Sequence, residues 1–335
     1  MITSHLTTIA LDKEDRSEVC RNARASSLSL RTFCRRAAAQ DSKPTFIAFE
    51  APGAGTGAYL GTTAVSINRA GASAGYYTEA IYAFHGFVRS ADGVITTFDP
   101  PGAGTAANQG TLAGDINAAG TIAAYYLDAN LVFHAFVRAA SGGITTFGAP
   151  GAGTAAYQGT TAAGINAAGT VAGAYYDANG AGHGFVRTAS GAITTYDAPG
   201  AGTGVGQGTF GLSINDAGVV AGYYVDSASA QHGFERAAGD AIAEFNASGA
   251  GTGAGQGTEA LSVNEAGEIT GNYQDANDVF HGYVRAGGKL IAFDAPGAGN
   301  IAYQGTFGSS IGAGGAVAGY YVDGGGVYHG FLRTP

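Results

Sequence analysis

A histidine recurs down this chain at almost constant spacing, and the residues around it recur with it. Six copies of the surrounding pattern are present, 49, 49, 49, 49 and 48 residues apart, centred on His85, His134, His183, His232, His281 and His329. Self-similarity of this period is typical of an array in which each copy is one supersecondary unit packed on its neighbours. The chain is therefore expected to fold as six similar units.

Each copy reads as four short strands. In the third copy the strand-like segments are GTTAAGI (159–165), TVAGAYY (170–176), HGFVR (183–187) and AITTYD (192–197), separated by turn residues. With 58 glycines and no tryptophan, the composition disfavours long helices, because glycine in a helix interior costs roughly 1 kcal/mol against alanine. Four antiparallel strands in a repeat of this length indicate a blade of a β-propeller.

Side-chain size follows the same geometry. The first two segments of each copy are mostly Ala, Gly, Ser and Thr, whereas the third and fourth carry aromatic residues. The two aromatic columns are Phe87, Phe136, Phe185, Phe234, Tyr283 and Phe331, and Phe98, Phe147, Tyr196, Phe245 and Phe293. Since blades fan out from an axis, small residues are expected on inner strands and rings on outer strands.

The two ends of the pattern complement each other. The last copy stops at HGFLRTP without a fourth strand, while TFIAFE (45–50) reads as a fourth strand without the other three. We therefore predict an all-β fold over residues 44–335, a six-bladed β-propeller of four-stranded antiparallel blades, closed by pairing of 45–50 with 328–333. Residues 1–43, rich in Arg, Ser and Ala, are predicted to form a flexible, disordered leader.

Charge and composition exclude several function classes. The chain has 25 acidic and 16 basic residues, and eight of those basic residues lie within 1–43, so the repeats are strongly acidic. Nucleic acid is therefore not an expected partner. The sequence contains no run of 18 apolar residues, so no membrane span is predicted. No secretory signal is visible either. Cys20 and Cys34 both lie in the leader, so no disulfide is predicted in the repeats. We expect no metal, no cofactor and a monomer.

The repeat GINAAGTVAGAYYDANGAGHGFVR resembles the HAF-type extracellular repeat of bacterial proteins, whose pattern is similar to G-I-N-x-x-G-x-V-x-G followed by a turn and H-[AG]-F. The second copy reads HAF at His134–Phe136. The resemblance implies a location outside the cell, but it supplies no catalytic residues. The sixth copy departs from the pattern at Gly312, where the others have Asn68, Asn117, Asn166, Asn215 and Asn264.

Three further columns accompany the histidine and form a constellation with it. A tyrosine lies eight residues earlier, at Tyr77, Tyr126, Tyr175, Tyr224, Tyr273 and Tyr321. An acid lies six residues earlier, at Glu79, Asp128, Asp177, Asp226, Asp275 and Asp323. An arginine lies four residues later, at Arg89, Arg138, Arg187, Arg236, Arg285 and Arg333. Tyr, His and Arg together suit elimination from a uronate sugar. Sixfold repetition instead favours a structural role, because a catalytic site occurs once or twice per chain.

The long loops of each copy are predicted to share one face of the propeller, and this face is the expected binding surface. There the PGAGT loops lead to a glutamine column with tyrosines beside it. The ligand-binding candidates are Gln109, Gln158, Gln207, Gln256, Gln304, Tyr157 and Tyr303. Amides and tyrosines suit sugar hydroxyls. Alternatively, the glutamines tie one loop to the next.

Two functions remain open from the sequence. The first is a non-catalytic binding or scaffold propeller that recognises carbohydrate or another polar ligand on the long-loop face. The alternative is a polysaccharide lyase or hydrolase with a single site at the axial mouth that uses Tyr, His and Arg. Asp115, Glu259 and Asn272 break the repeat symmetry near the axis, and a single catalytic pocket would need such a break.

Overall fold

A computed structural model describes residues 47–335. Residues Glu50–Pro335 form one compact unit that carries 23 strands. The described residues contain no helix, which confirms the prediction of an all-β fold for this part of the chain. Residues 47–335 accordingly offer no helix that could cross a bilayer. The predicted leader, 1–43, lies outside the described residues.

The strands form six repeat units, with four strands in each of units 1–5 and three in unit 6. The inner strands are β1 (Gly61–Ile67), β5 (Gly110–Ile116), β9 (Gly159–Ile165), β13 (Gly208–Ile214), β17 (Gly257–Val263) and β21 (Gly305–Ile311). The second strands are β2 (Ser73–Thr78), β6 (Ile122–Leu127), β10 (Val171–Tyr176), β14 (Val220–Val225), β18 (Ile269–Gln274) and β22 (Val317–Val322). The third strands are β3 (Phe84–Arg89), β7 (Phe133–Arg138), β11 (Gly182–Arg187), β15 (Gln231–Arg236), β19 (Phe280–Ala286) and β23 (Tyr328–Arg333). The outer strands are β4 (Ile95–Phe98), β8 (Ile144–Phe147), β12 (Ile193–Tyr196), β16 (Ile242–Phe245) and β20 (Lys289–Phe293).

Within a unit, each strand pairs antiparallel with the next one. Between units, the third strand meets the following inner strand in a single parallel bridge, as Gly182 does with Gly208. Tight turns such as NAAG join the strands at one end of each unit, and the longer loops lie at the other. The predicted four-stranded unit is therefore present, with boundaries within one residue of those expected for unit 3.

Every inner strand contains a β-bulge at the same place. In β9, Ala162 pairs with Gly173 and Gly164 pairs with Ala172, which leaves Ala163 as the extra residue. The corresponding residues of the other units are Val65, Gly114, Leu212, Leu261 and Ser309. A bulge bends its strand and redirects the side chain of its extra residue, so five side chains and the backbone of Gly114 are redirected at equivalent positions.

The core is divided among the interfaces between consecutive units. At the interface of units 2 and 3, Ile165, Val171 and Phe185 pack on Ala123 and on the half-buried Phe147. Burial of one such ring contributes roughly 1.5–3 kcal/mol. The predicted aromatic column of the third strands is confirmed as core, since five of its rings are fully buried: Phe87, Phe136, Phe185, Phe234 and Tyr283.

Small inner residues follow from the close approach of the strands. A Cβ placed on Gly173 in β10 would lie 2.2 Å from the carbonyl oxygen of Thr161 and 2.8 Å from the ring of Phe185. No side chain fits in that space. The glycine-rich composition therefore has a packing cause at this position.

An asparagine ladder connects the ends of the inner strands. In unit 3, Asn166 Nδ2 donates to the carbonyl oxygen of Asn215 at 3.1 Å, and Asn166 Oδ1 accepts from the N–H of Thr170 at 2.9 Å. The equivalent inter-unit donations run from Asn68 to Asn117, Asn117 to Asn166, Asn215 to Asn264, and Asn264 to Gly312. Gly312 has no side chain, so the ladder stops at unit 6.

Units 1 and 6 each have one side without the packing that joins consecutive units. Ile165 at the end of β9 is 4% exposed, whereas Ile67 at the same position of β1 is 71% exposed. On β23, the last strand of unit 6, Leu332 is 70% exposed. Among residues 47–335, β23 pairs only with β22. The array therefore has an open edge at each end.

The predicted closing strand at 45–50 is not confirmed. Residues 47–50 carry no strand, and residues 45 and 46 lie outside the described range. Glu50 and Ala51 instead join unit 1: the Thr62 hydroxyl donates to Glu50 Oε2 at 2.8 Å and accepts from the Ala51 N–H at 2.9 Å. Unit 6 also has Gly312 in place of the ladder asparagine, so it has no side-chain amide that could donate to unit 1.

Candidate functional site

The tyrosine, the histidine and the preceding acid of each repeat meet on one hairpin. Tyr175 on β10 is the register partner of His183 on β11, and their rings stack with centroids 4.8 Å apart. The six Tyr–His stacks are alike, with centroids 4.7–4.9 Å apart. In each unit the histidine Nε2 lies 3.0–3.8 Å from the acid.

The acid also holds the loop between the second and third strands. Asp177 Oδ1 accepts from the N–H groups of Asn179 and Ala181, at 2.8 and 2.9 Å. Burial alone raises the pKa of Asp177, but these N–H groups and the charge of His183 outweigh it and lower the pKa. The carboxylate therefore stays ionised, caps its own loop and orients the histidine. This arrangement supports the structural interpretation of the column.

A second acid beside four of the histidines was not identified from the sequence. His85 Nδ1 lies 2.7 Å from Asp99 Oδ2, and His183 Nδ1 lies 2.9 Å from Asp197 Oδ1. Units 4 and 5 supply Glu244 and Asp294. Asp99, Asp197 and Asp294 each directly follow the aromatic residue of the outer strand, a regularity that could have revealed them.

The paired acids affect the protonation of His85. Burial by itself lowers the pKa of His85, while hydrogen bonds and charges from Asp99 and then Glu79 raise it, and the net effect is a raised pKa. His134 has no such second acid, because Gly148 stands where unit 1 has Asp99. The histidine column is thus uniform in position and varied in its acidic neighbours.

The arginines belong to a different part of each unit. Arg187 lies four residues after His183 on β11, so their Cα atoms are about 13 Å apart along the strand. Its guanidinium lies 4.6 Å from the ring centroid of Phe147 in unit 2. The same cation–π contact recurs for Arg138, Arg236, Arg285 and Arg333. The structure therefore does not bring Tyr, His and Arg of one unit together as the enzymatic alternative requires.

The predicted glutamine column lies in the long loops, where it bonds backbone atoms. Gln158 Oε1 accepts from the Ala155 N–H at 3.0 Å, and its Nε2 donates to the Ala178 carbonyl at 3.0 Å. Gln109 and Gln207 make the same pair of bonds, and Gln256 donates to Asp278 instead of a carbonyl. Gln304 is buried, and its Oε1 has no hydrogen-bond partner among residues 47–335. The side-chain amides of Gln109, Gln158, Gln207 and Gln256 therefore hold their loops together by hydrogen bonds.

The tyrosines that precede two of these glutamines are exposed and have left-handed backbone. Tyr157 is 58% exposed with φ 62°, and Tyr303 is 71% exposed with φ 65°. A third, Tyr59, is 96% exposed with φ 63°. The same column holds Asn108, Gly206 and Gly255 in the other units. Glycine and asparagine suit this conformation, whereas a bulky residue in it is strained.

The loop that carries Tyr157 is fixed on both sides. The Tyr157 N–H donates to the Leu131 carbonyl at 2.7 Å, and the Phe133 N–H donates to the Gln158 carbonyl at 2.7 Å. The ring of Phe133 lies beside the ring of Tyr157, with centroids 6.4 Å apart. Two backbone hydrogen bonds and the Phe133 ring therefore hold the loop of Tyr157 in place, while the Tyr157 ring stays exposed.

The symmetry-breaking residues Glu259 and Asn272 contact each other, whereas Asp115 lies elsewhere. Asn272 Nδ2 donates to Glu259 Oε2 at 3.1 Å. Burial raises the pKa of Glu259, while hydrogen bonds from Asn272 and Gln231 oppose the rise. Asp115 Oδ2 accepts from the Ile165 N–H of unit 3 at 3.1 Å. Within residues 47–335, no three His, Cys, Asp or Glu side chains are arranged to hold a metal ion.

Comparison with known proteins supports the architecture. No family model and no curated protein matches the chain, so the resemblance to HAF-type repeats is not confirmed. The structure is similar to BP39L lectin from Burkholderia pseudomallei, with a TM-score of 0.50, 9% identity and 78% of each chain covered.

Two further solved structures are similar at lower scores. The six-bladed β-propeller lectin of Aleuria aurantia has a TM-score of 0.44 at 12% identity, over 81% of this chain and 91% of the lectin. TolB from Acinetobacter baumannii has a TM-score of 0.45 at 10% identity, over 77% of this chain and 63% of TolB. Together with the repeats, the fold likeness supports a repeat-based β-propeller.

Proposed function

We propose that this chain is a non-catalytic carbohydrate-binding propeller whose sugar sites are the exposed tyrosines of the long-loop face, Tyr157 and Tyr303. The observation that carries the proposal is the left-handed backbone of these exposed tyrosines. Such strain costs on the order of 1–3 kcal/mol, and units 4 and 5 avoid it with Gly206 and Gly255. An aromatic ring kept exposed at this cost has a use other than stability.

The chemistry of these exposed tyrosines suits a sugar. The face of a tyrosine ring packs on the apolar C–H face of a sugar ring, and the phenol oxygen adds a hydrogen bond. Gln158 and the Leu131 carbonyl position the loop without contributing free polar groups. Gln158 therefore positions the loop that carries Tyr157. BP39L, which shares the fold, is a lectin, so the fold is compatible with this role.

The number of sites follows from the column. Tyr157 and Tyr303 are anchored to the preceding unit, through Leu131 and Asp278. Tyr59 lies at the open edge of unit 1, and its N–H makes no backbone bond to a preceding unit within the described residues. We expect two equivalent sites per chain and no reaction product.

Glycine substitution separates binding from stability. The variants Tyr157→Gly and Tyr303→Gly relieve the backbone strain, so we expect an unfolding midpoint equal to or above that of the native chain, with loss of one site each. Isothermal titration with oligosaccharides selected on a glycan array measures the stoichiometry. Matched variants, Ile301→Gly on the Tyr303 loop and Val205→Gly on the corresponding loop of unit 4, should leave binding unchanged.

The proposal fails if the double tyrosine variant binds the selected sugars as the native chain does. It also fails if a new unsaturated or shortened sugar product accumulates, because that result would favour a lyase or hydrolase.

We also propose that the array is a six-bladed ring left open between unit 6 and unit 1. All six inner strands line a single cavity, which supports an arrangement around one axis. The flexible leader at 1–43, the monomeric state and a location outside the cell stay predictions.

A further inference from the structure

A cavity of about 490 Å³ lies on the axis at the tight-turn end of the inner strands. All six bulged residues line it, as do the residues that end each inner strand. Tyr157 precedes β9 by two residues and the cavity lies at the far end of β9, so the two are about 20 Å apart along the strand. This cavity is thus separate from the proposed sugar site at Tyr157.

The volume and the wall fit a small polar molecule. Small-molecule sites range from roughly 300 to 1,000 Å³. Ser66, Ser213, Ser262 and Ser310 place hydroxyl groups in the wall next to the bulges. Ser213 and Ser262 accept N–H bonds from the next unit, at 3.2 and 3.3 Å. Their own hydroxyl protons have no acceptor among residues 47–335, so they are available to a ligand.

The charges of the cavity wall are unevenly distributed. The residue after each ladder asparagine is Ala in units 2 and 3 and again after Gly312 in unit 6, but it is Asp216 in unit 4 and Glu265 in unit 5. Asp115 adds a third carboxylate, and Arg69 is the only cation in the cavity wall. The wall therefore carries a net formal charge of −2 from these four groups.

The carboxylates retain acceptor capacity. Asp216 Oδ1 accepts from the Ala167 N–H at 2.7 Å, and Glu265 Oε2 accepts from the Asp216 N–H at 3.0 Å. In the described part of the chain, Asp216 Oδ2 and Glu265 Oε1 make no hydrogen bond. Two backbone N–H groups thus hold adjacent carboxylates in place, each with one free oxygen at the cavity mouth.

We propose that this axial cavity binds a small polyhydroxylated amine, an amino sugar, with its ammonium group at Asp216 and Glu265. The hydroxyl groups of Ser213 and Ser262 donate to the sugar hydroxyls, while Ser66 donates to Asp115 at 2.6 Å, and Asp115 adds to the negative potential inside. Bulges recur beside functional sites because they redirect a side chain, and here six of them shape one cavity. A neutral sugar lacks the positive charge that Asp216 and Glu265 attract, so it should bind more weakly.

The test uses the full chain and D-glucosamine, with N-acetyl-D-glucosamine as the matched uncharged probe. Titration calorimetry is expected to show one site for glucosamine and at least about tenfold weaker binding of the acetylated sugar. The variant Asp216→Asn/Glu265→Gln keeps both N–H acceptors and removes both charges. We expect it to weaken glucosamine binding by roughly fivefold for each charge removed, with the loss reduced at high salt.

A second variant tests the place of binding. Ala163→Leu introduces at one bulge the side chain that Leu212 and Leu261 already have at theirs, so it fills the cavity with a group the fold accepts. Combined with Ser309→Leu it is expected to abolish the glucosamine site. Asp92→Asn, an exposed acid on an outer turn, should change nothing.

Several results would overturn the proposal. These are equal affinity for the two sugars, no measurable glucosamine binding, or unchanged binding in the Asp216→Asn/Glu265→Gln variant with a native unfolding midpoint. The Tyr157→Gly/Tyr303→Gly variant distinguishes the two sites, since it should lose the long-loop sites and keep the axial one.

Discussion

The interface between units 2 and 3 and the open edge of unit 1 are built from nearly the same residues and have opposite exposure. Ile165 is buried against unit 2, whereas Ile67, in the same repeat position, has no such neighbour and is largely exposed. Likewise Ala123 on β6 is fully buried, while Ala318 on β22 is exposed. The repeat sequence supplies one half of an interface, and burial depends on whether another unit supplies the second half.

This comparison also separates packing from hydrogen bonding. Asn68 bonds forward to unit 2 although its unit has an open edge, since the ladder needs only the following unit. Ile67 needs the preceding unit and is exposed. An end unit therefore keeps its polar bonds on one side and loses its apolar contacts on the other.

The largest expected effect is on the buried ring of an inner unit. Phe185→Ala removes a fully buried ring between units 2 and 3 and should lower the free energy of unfolding by about 3–5 kcal/mol. Phe331 in unit 6 is only half-buried, so Phe331→Ala should cost clearly less. Urea denaturation measures both. Equal losses would show that the edge of unit 6 is covered in solution.

The next effect applies the same logic to the isoleucine column. Ile165→Ala should cost about 2–5 kcal/mol, whereas Ile67→Ala should stay within about 0.5 kcal/mol, because Ile67 is already exposed. Thermal and urea unfolding of the two variants measures the two losses in the free energy of unfolding. A large loss for Ile67→Ala would mean that unit 6 packs on unit 1 and that the ring is closed.

A smaller effect tests the missing step of the asparagine ladder. Gly312→Asn and Gly312→Asp both cap the local turn, and a Cβ at Gly312 has its nearest neighbour at 3.7 Å. Only asparagine can also donate to unit 1. If the ring closes, Gly312→Asn should exceed Gly312→Asp in stability by about 1 kcal/mol. Identical unfolding midpoints would argue for an open array.

The smallest effect concerns His85 in unit 1. Because its pKa is raised in the folded chain, His85 contributes stability that is complete below its unfolded pKa of about 6.5 and is lost as pH rises through the higher folded value. Native and His85→Gln chains should therefore differ more in stability at pH 5 than at pH 8.

The electrostatic cause can be measured directly. Asp99→Asn removes the acid at 2.7 Å and should lower the pKa of His85, as followed by NMR titration. An unchanged titration would assign the raised pKa to another group.

Much of the fold follows from sequence periodicity. Spacing alone located the six units, and the small and aromatic columns predicted which strands are inner and which rings are buried, as Phe185 shows. The extra residue of each bulge, such as Ala163, could not be predicted. A bulge leaves the alternation of small residues almost unchanged, so it has no signal in a strand made mostly of Ala, Gly and Thr.

The site was harder to predict for a related reason. Loop length drew attention to Gln158, but its amide is used internally, because it bonds the Ala155 N–H and the Ala178 carbonyl. The strain at Tyr157 depends on φ, which the sequence does not state. The axial cavity depends on six residues about 49 positions apart, each unremarkable by itself.

The asparagine ladder gives the array a polarity. Every step donates from one unit to the unit that follows it, so the Asn68 carbonyl of the first unit accepts only the turn bond from the Gly71 N–H, and the last unit has glycine where a donor would stand. Two such chains meeting end to end would bring the second acceptor position of the Asn68 carbonyl against a residue with no side-chain donor. Gly312 thus acts as a chemical stop, which disfavours the stringing together of separate molecules into filaments.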